Sequence, residues 1–177
     1  MRSLGKYALA VGLIAVSARV SATIPGTSVP QSAQTLAVVL VGAFLGGRDG
    51  ALALAFYLLA GGLGVPVFAD GAAGWPHLAG ATGGYLVGFV LAAGIVGWFA
   101  DRGYMARPRT ALAAMLLGHL VILCLGWLRL AASLGLGDAF AGGVTPFLSG
   151  GLAKSVLAAA VVSVWIGAGF GRRPRPT

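Results

Sequence analysis

The stretch Gly64 to Phe89 reads GVPVFADGAAGWPHLAGATGGYLVGF. It is irregular and Gly-rich, and it lies between two apolar runs. It holds Asp70, one of four acids in the chain, His77, one of two histidines, and also Trp75 and Tyr85. A lipid-facing helix does not carry this mixture, because Gly and Pro break helices and leave backbone groups unpaired in hydrocarbon. Such backbone is tolerated where it caps or lines a cavity. A plain loop between two membrane helices is the alternative, and the rest of the chain bears on the choice.

Outward from this stretch, the composition is that of a membrane protein. The chain has 177 residues, 58% of them hydrophobic and 9% charged, with mean hydropathy +0.93. A soluble domain carries about 25% charged residues. The formal charge of +8 raises the question of nucleic acid. The basic residues form no patch interleaved with aromatics, so no nucleic-acid partner is expected. They sit at the two ends and in short loops, beside a lipid bilayer. Cys124 is the only cysteine, which excludes an intrachain disulfide and a thiolate metal site.

Six apolar spans are expected, at about 7–24, 31–45, 51–63, 83–100, 111–134 and 151–170, in one membrane domain over 1–177. Eighteen residues at about 1.5 Å each give the first span about 27 Å, close to a bilayer core. Arg2, Lys6 and the run to Val20, Ser21 and Ala22 also have the pattern of a signal peptide. Arg19 next to that cleavage pattern argues against removal, and so does the charge count. Within the first span Ala8 with Gly12, and Ala18 with Ala22, repeat at a spacing that lets another helix approach closely. Packing inside the same chain explains these pairs equally well. An even number of spans puts both ends on one side. Arg2, Lys6, Arg48, Arg102, Arg107, Arg109, Arg172, Arg173 and Arg175 then share that side, nine of the twelve basic residues. The excess of Lys and Arg on cytoplasmic loops places both termini in the cytoplasm. The opposite face carries three irregular connections, near 25–30, 65–82 and 135–150, which implies a pocket open to the outside. No ATP-binding loop pattern occurs, and a chain this short lacks two obvious halves for alternating access. It reads as a capture subunit that needs partners.

Four runs carry a family resemblance. They are Val29 to Ala37 (VPQSAQTLA), Gly61 to Ala69 (GGLGVPVFA), Ala81 to Phe89 (ATGGYLVGF) and Val144 to Lys154 (VTPFLSGGLAK). In this order, over nearly the whole chain, they resemble the BioY family, the biotin-specific S components of energy-coupling-factor (ECF) vitamin transporters. The resemblance implies an all-α integral membrane protein, a bundle of six transmembrane helices like other ECF S components, in the bacterial cytoplasmic (inner) membrane. It implies a transport subunit rather than an enzyme, with biotin as ligand and no cofactor or metal. It also implies a transmembrane coupling protein of the EcfT or BioN kind and ATP-binding subunits of the EcfA or BioM kind. The coupling protein would pack on the first helix, where Ala8, Gly12, Ala18 and Ala22 are the candidate contacts. A solitary biotin facilitator, or an S component for another small vitamin, is the alternative. One motif departs from the family pattern P-F-x-P-G-D-x-x-K. Here Ser149 stands for the second proline and Gly151 for the acid, while Lys154 is kept.

A biotin pocket needs acceptors and a donor for the ureido ring, apolar walls for the sulfur ring, and a donor or cation for the carboxylate. Lys154 is the first candidate, for the carboxylate or the ureido oxygen; snorkelling to headgroups is its plain alternative. Arg19 and Arg129 are weaker candidates that serve equally as interface anchors. Asp70 is a candidate acceptor or lid residue, or an exposed loop acid. Tyr85, Phe68 and Trp75 would wall the sulfur ring, although aromatics are common at membrane interfaces without a ligand. Gly83 and Gly84 would allow close backbone approach to the ligand. Gln34, with two donors and an acceptor, faces a ligand or caps its helix. His119 lies in a span with no second ligand at metal spacing, and reads as a hydrogen bonder between helices. A membrane enzyme would need an acid–base pair. Asp70 and His77 are the one pair close in sequence, and no nucleophile joins them.

Overall fold

A computed structural model describes residues 2–22, 27 and 29–170. Arg172, Arg173, Arg175 and part of the 25–30 connection lie outside the described residues, as does the end of the expected first span. The described residues form six longer helices. These are α1 (Arg2–Ala18), α2 (Gln34–Leu45), α3 (Gly47–Gly62), α5 (Gly83–Asp101), α6 (Pro108–Leu134) and α8 (Leu148–Trp165). Two short helices, α4 (Trp75–Ala79) and α7 (Leu136–Gly143), lie inside the expected connections. Among the described residues, three segments are long and apolar enough to cross a membrane: Gly83–Asp101, Pro108–Leu134 and Leu136–Phe170.

The helix boundaries differ from the expected spans where turn chemistry intervenes. The first helix stops at Ala18, not near residue 24. Beyond it the chain forms a two-residue strand, β1 (Ser21–Ala22), antiparallel to β2 (Gln31–Ser32). This small pairing interrupts an otherwise mostly helical chain and delays α2 to Gln34. Pro108 begins α6 early, since a proline at the first helical position loses no hydrogen bond. Helices α2 and α3 are joined by Gly46 alone, at φ 85°, a left-handed backbone that favours glycine.

Helix α5 occupies the centre and packs against α2, α3 and α6. Small residues let the backbones approach. A Cβ added to Gly42 would lie 2.6 Å from the Ala93 carbonyl oxygen, and one on Gly88 would lie 2.9 Å from the Ile122 Cα. Real Cβ atoms do not come this close, so these crossings require glycine. Between lipid-soluble helices such packing, rather than water exclusion, drives association. The outer faces of α1, α6 and α8 carry exposed apolar residues, among them Leu9, Leu13, Leu120, Leu152, Leu157 and Val164. In water so large an apolar surface would aggregate; in a bilayer it meets hydrocarbon. The helices are apolar nearly all round, which is the pattern of buried or membrane segments.

The two ends of the bundle differ in chemistry. The end carrying the α2–α3 and α5–α6 connections holds Arg48, Arg102, Arg107 and Arg109. There Lys6 Nζ pairs with Asp49 at 2.5 Å, Tyr7 donates to the same carboxylate at 2.7 Å, and Asp101 accepts from the Gly47 amide at 2.9 Å. The other end gathers the long irregular connections and α4, and it contains the cavity.

Candidate functional site

The cavity encloses about 670 Å³ of atom-free space, including the open solvent at its mouth, and its wall is mostly apolar with a few polar groups, the pattern of small-molecule sites. All three irregular connections reach it. Val29 and Pro30 come from the first, Ala69, His77 and Thr82 from the second, and Phe147 from the third. Helices α2, α5, α6 and α8 supply the remaining wall, with Leu86, Phe89, Ile122 and Leu123 forming apolar surface. Part of the irregular stretch of 64–89 therefore lines a cavity, one of the two readings its composition left open.

Lys154 lines this cavity from the second turn of α8. Its ammonium donates to the Ser32 carbonyl oxygen of β2 at 2.5 Å. The half-buried side chain thus points to the hairpin, not outward to headgroups. An ammonium has three donors, and among the described residues no carboxylate forms a salt bridge with it. Tyr85 also lines the cavity, and its hydroxyl donates to the Gly143 carbonyl at 2.6 Å. Gln34 lines it too, with both ends of its amide engaged. Its Nε2 donates to Tyr57 Oη at 2.5 Å, and its Oε1 accepts from Ser32 Oγ at 2.9 Å. The Tyr57 hydroxyl donates onward to the Val67 carbonyl at 2.9 Å. This chain of bonds ties β2 to the 64–89 stretch through α3. Gln34 begins α2 but does not cap it.

Five sequence candidates lie outside the cavity wall. Asp70 is exposed, sits at φ 55°, and accepts from Ser21 Oγ at 2.6 Å, which fastens β1 to the second connection. Aspartate is one of the few residues that tolerate this left-handed backbone. Its neighbour Ala69 faces the cavity instead. Phe68 is fully buried one layer behind, stacked on His77 at 5.2 Å and edge-on to Tyr57 at 5.5 Å. Trp75 is 59% exposed and covers the end of α3 at Gly62. Gly83 and Gly84 face protein: an added Cβ would overlap the Leu78 carbonyl at one and the Leu125 carbonyl at the other. Their smallness serves the close start of α5 against α4 and α6.

Arg19 donates to the Pro66 carbonyl at 2.7 Å and Arg129 to the Ala79 carbonyl, so both fasten connections. On α1, Ala8 and Gly12 are on the exposed side, and a Cβ on Gly12 would meet nothing within 4 Å. Ala18 is fully buried by its own bundle, and Ala22 is exposed in β1.

Two histidines and a threonine complete the polar wall. His77 Nε2 and Thr82 Oγ1 are 3.1 Å apart. Burial lowers the His77 pKa from its ordinary value, so the ring is neutral at pH 7. With His77 turned to Thr82 and Asp70 to Ser21, the two do not form an acid–base pair. His119 does bond between helices, as its place in an apolar run implies. Its Nδ1 lies 3.0 Å from the Met115 carbonyl and 2.9 Å from Ser155 Oγ of α8. The same residue also lines the cavity, next to Gly151. The sequence signal for this was the cost of a histidine within a membrane span. The pairing of α6 with α8 that directs the ring was not visible in it. No cluster of metal-binding side chains occurs among the described residues.

The chain matches the model of the BioY family over residues 1–168. It is 37% identical over 151 residues to the probable biotin transporter BioY of Pyrococcus horikoshii, covering 85% of this chain and 88% of that one. It is 35% identical over 158 residues to the biotin transporter BioY2 of Lactococcus lactis subsp. cremoris, covering 88% and 85%. A crystal structure of the S-component for biotin from an ECF-type ABC transporter superposes with a TM-score of 0.84 at 18% identity, covering 97% of this chain and 96% of that one. That likeness shows the fold. The sequence matches show the lineage: the chain belongs to the BioY family, a family of transporters rather than enzymes.

Proposed function

We propose that this chain is the substrate-capture subunit of a biotin uptake transporter. It binds biotin at the outer face of the cytoplasmic membrane and delivers it inward with a coupling protein and ATPases. In this reading all six longer helices span the bilayer, both termini are cytoplasmic, and the cavity opens outward. The orientation is supported by Arg48, Arg102, Arg107 and Arg109 at the end opposite the cavity. The observation that carries the ligand reading is an ammonium, Lys154, turned into a mostly apolar cavity walled by Leu86, Phe89, Ile122 and Phe147. That arrangement fits a molecule with an apolar middle and a polar acceptor at one end. The ureido oxygen of biotin is such an acceptor, and its sulfur ring and alkyl tail suit the walls. Relatives that are named biotin transporters point to biotin among molecules of this shape. A coupling protein would dock on the exposed face of α1, where Ala8 and Gly12 let a partner helix approach. Energy would come from its ATP-binding subunits.

The test is titration of the detergent-purified protein with biotin, with thiamine and riboflavin as controls. Selective, roughly one-to-one binding of biotin in the absence of ATP is the expected result. Binding of neither biotin nor a control by folded protein would remove the capture reading, and selective binding of a control vitamin would replace the ligand.

A further inference from the structure

We propose that His119 reads an N–H group of the captured ligand, through a ring nitrogen whose acceptor character the surrounding hydrogen bonds fix. The inference rests on the biotin reading, in which the N–H belongs to the ureido ring. It assigns the acceptor to α6, beside the position where Gly151 stands in α8.

Three observations carry it. First, the His119 side chain is buried, with 5% of the residue exposed, and its Nε2 has no hydrogen-bond partner among the described residues. The residue lines the cavity. A buried polar atom left without a partner is costly, and this one belongs to a residue of the cavity wall, which points to a donor that arrives with the ligand.

Second, the state of Nε2 follows from what Nδ1 touches. The Met115 carbonyl, 3.0 Å away, can only accept, so the proton is on Nδ1. Ser155 is consistent with this. Its hydroxyl hydrogen goes to the Gly151 carbonyl at 2.8 Å, which leaves an oxygen lone pair toward Nδ1 at 2.9 Å. With Nδ1 protonated, a neutral imidazole presents Nε2 as a bare lone pair. It accepts and does not donate. It therefore suits a ureido N–H, and it repels a carboxylate or carbonyl oxygen placed there.

Third, Gly151 places no side chain against the ring. A Cβ at that position would lie 3.8 Å from His119 Cδ2, the carbon bonded to Nε2, and 4.0 Å from its Cβ. A longer side chain would extend from there along the imidazole edge. Lys154, three residues further along α8, lines the same cavity. A donor from Lys154 and an acceptor from His119 together match a carbonyl flanked by N–H groups.

The experiment compares parent, His119→Asn and His119→Gln proteins by titration with biotin and with its two isomers methylated on a single ureido nitrogen. Asparagine retains a donor near the Nδ1 position and lacks any atom at Nε2; glutamine reaches the Nε2 position with an amide that can accept. The parent is expected to bind one methylated isomer about ten- to a hundredfold more weakly than biotin. His119→Asn is expected to lose a similar factor for biotin and to bind that isomer and biotin alike. His119→Gln is expected to recover part of both losses. If the parent binds both methylated isomers as tightly as biotin, the proposal fails, whatever the variants do and even if neither folds. It also fails if His119→Asn weakens biotin and both isomers equally with the discrimination retained, since that marks a packing role. If the parent binds no biotin, the biotin reading fails first and takes this inference with it.

Discussion

The two ends of the bundle solve the same problem, keeping polar groups beside hydrocarbon, in opposite ways. At the basic end, carboxylates meet cations and backbone amides: Lys6 and Tyr7 on Asp49, and the Gly47 amide on Asp101. Arg102 lies over the Trp98 ring at 3.6 Å. The two carboxylates are engaged within a surplus of cations, and the connections are short. At the cavity end, Lys154 is satisfied by a backbone carbonyl, Gln34 by Tyr57 and Ser32, and His119 by Met115 and Ser155. Neutral partners hold these side chains in place without neutralising Lys154 or using His119 Nε2. The comparison separates residues that build from residues that remain available.

The sharpest way to break this contrast is Lys154→Ala. If the ammonium faces a ligand acceptor in a desolvated site, biotin affinity falls by roughly thirtyfold or more, from the about 2–5 kcal/mol lost when one member of a buried charged contact is removed. Calorimetric titration measures it, and unchanged affinity would move Lys154 to the building class. A smaller effect is expected at His77. Its pKa is lowered from 6.5 by burial, so the folded state prefers the neutral ring. The unfolded chain binds the proton more readily, so this preference costs nothing at pH 7.5. The cost grows as the pH falls through 6.5 toward the folded pKa and is constant below it. Thermal unfolding in detergent at pH 7.5 and 5.0 is expected to show a larger acid loss for the parent than for His77→Gln. The smallest effect belongs to the basic end. Lys6 and Asp49 are 33% and 19% exposed, and partly exposed pairs contribute less than about 1 kcal/mol. Asp49→Asn is expected to lower the melting temperature slightly and to leave biotin binding unchanged; a loss of binding there would join the two ends functionally.

The same contrast explains what the sequence made legible. Long apolar periods announced the helices, and Gly and Pro marked the connections that wall the cavity. Lys154, Tyr85 and Gln34 line it because each sits at the cavity end of its own helix, a place that a span boundary approximates. Asp70 and Phe68 lie off the cavity wall for a local reason, and for Asp70 this is the exposed loop acid that the sequence left open. The left-handed turn at Asp70 sends its side chain to Ser21 and leaves Ala69 facing inward, and single-residue facing in an irregular stretch has no periodicity to read. The strands β1 and β2 were illegible because Ser, Ala and Gln carry little strand preference, and a two-residue pairing has no pattern. The facing of Gly83 and Gly84 depends on which helices cross at the start of α5, and that is a tertiary fact.

The single residue between α2 and α3 has a mechanical meaning. Gly46 holds the two helices together at the basic end, where Gly97 packs onto it so closely that an added Cβ would overlap the Gly46 carbonyl carbon. At the cavity end the same two helices lead into the longest connections of the chain. The pair is pinned at one end by Gly46 and at the other by the hydrogen bond between Gln34 and Tyr57, so motion that admits a ligand falls on the connections rather than on the two helices. Amide hydrogens near Gly46 would exchange with solvent slowest and those of the 64–82 segment fastest. Access to the cavity can then come from flexing of the connections while the membrane helices keep their places.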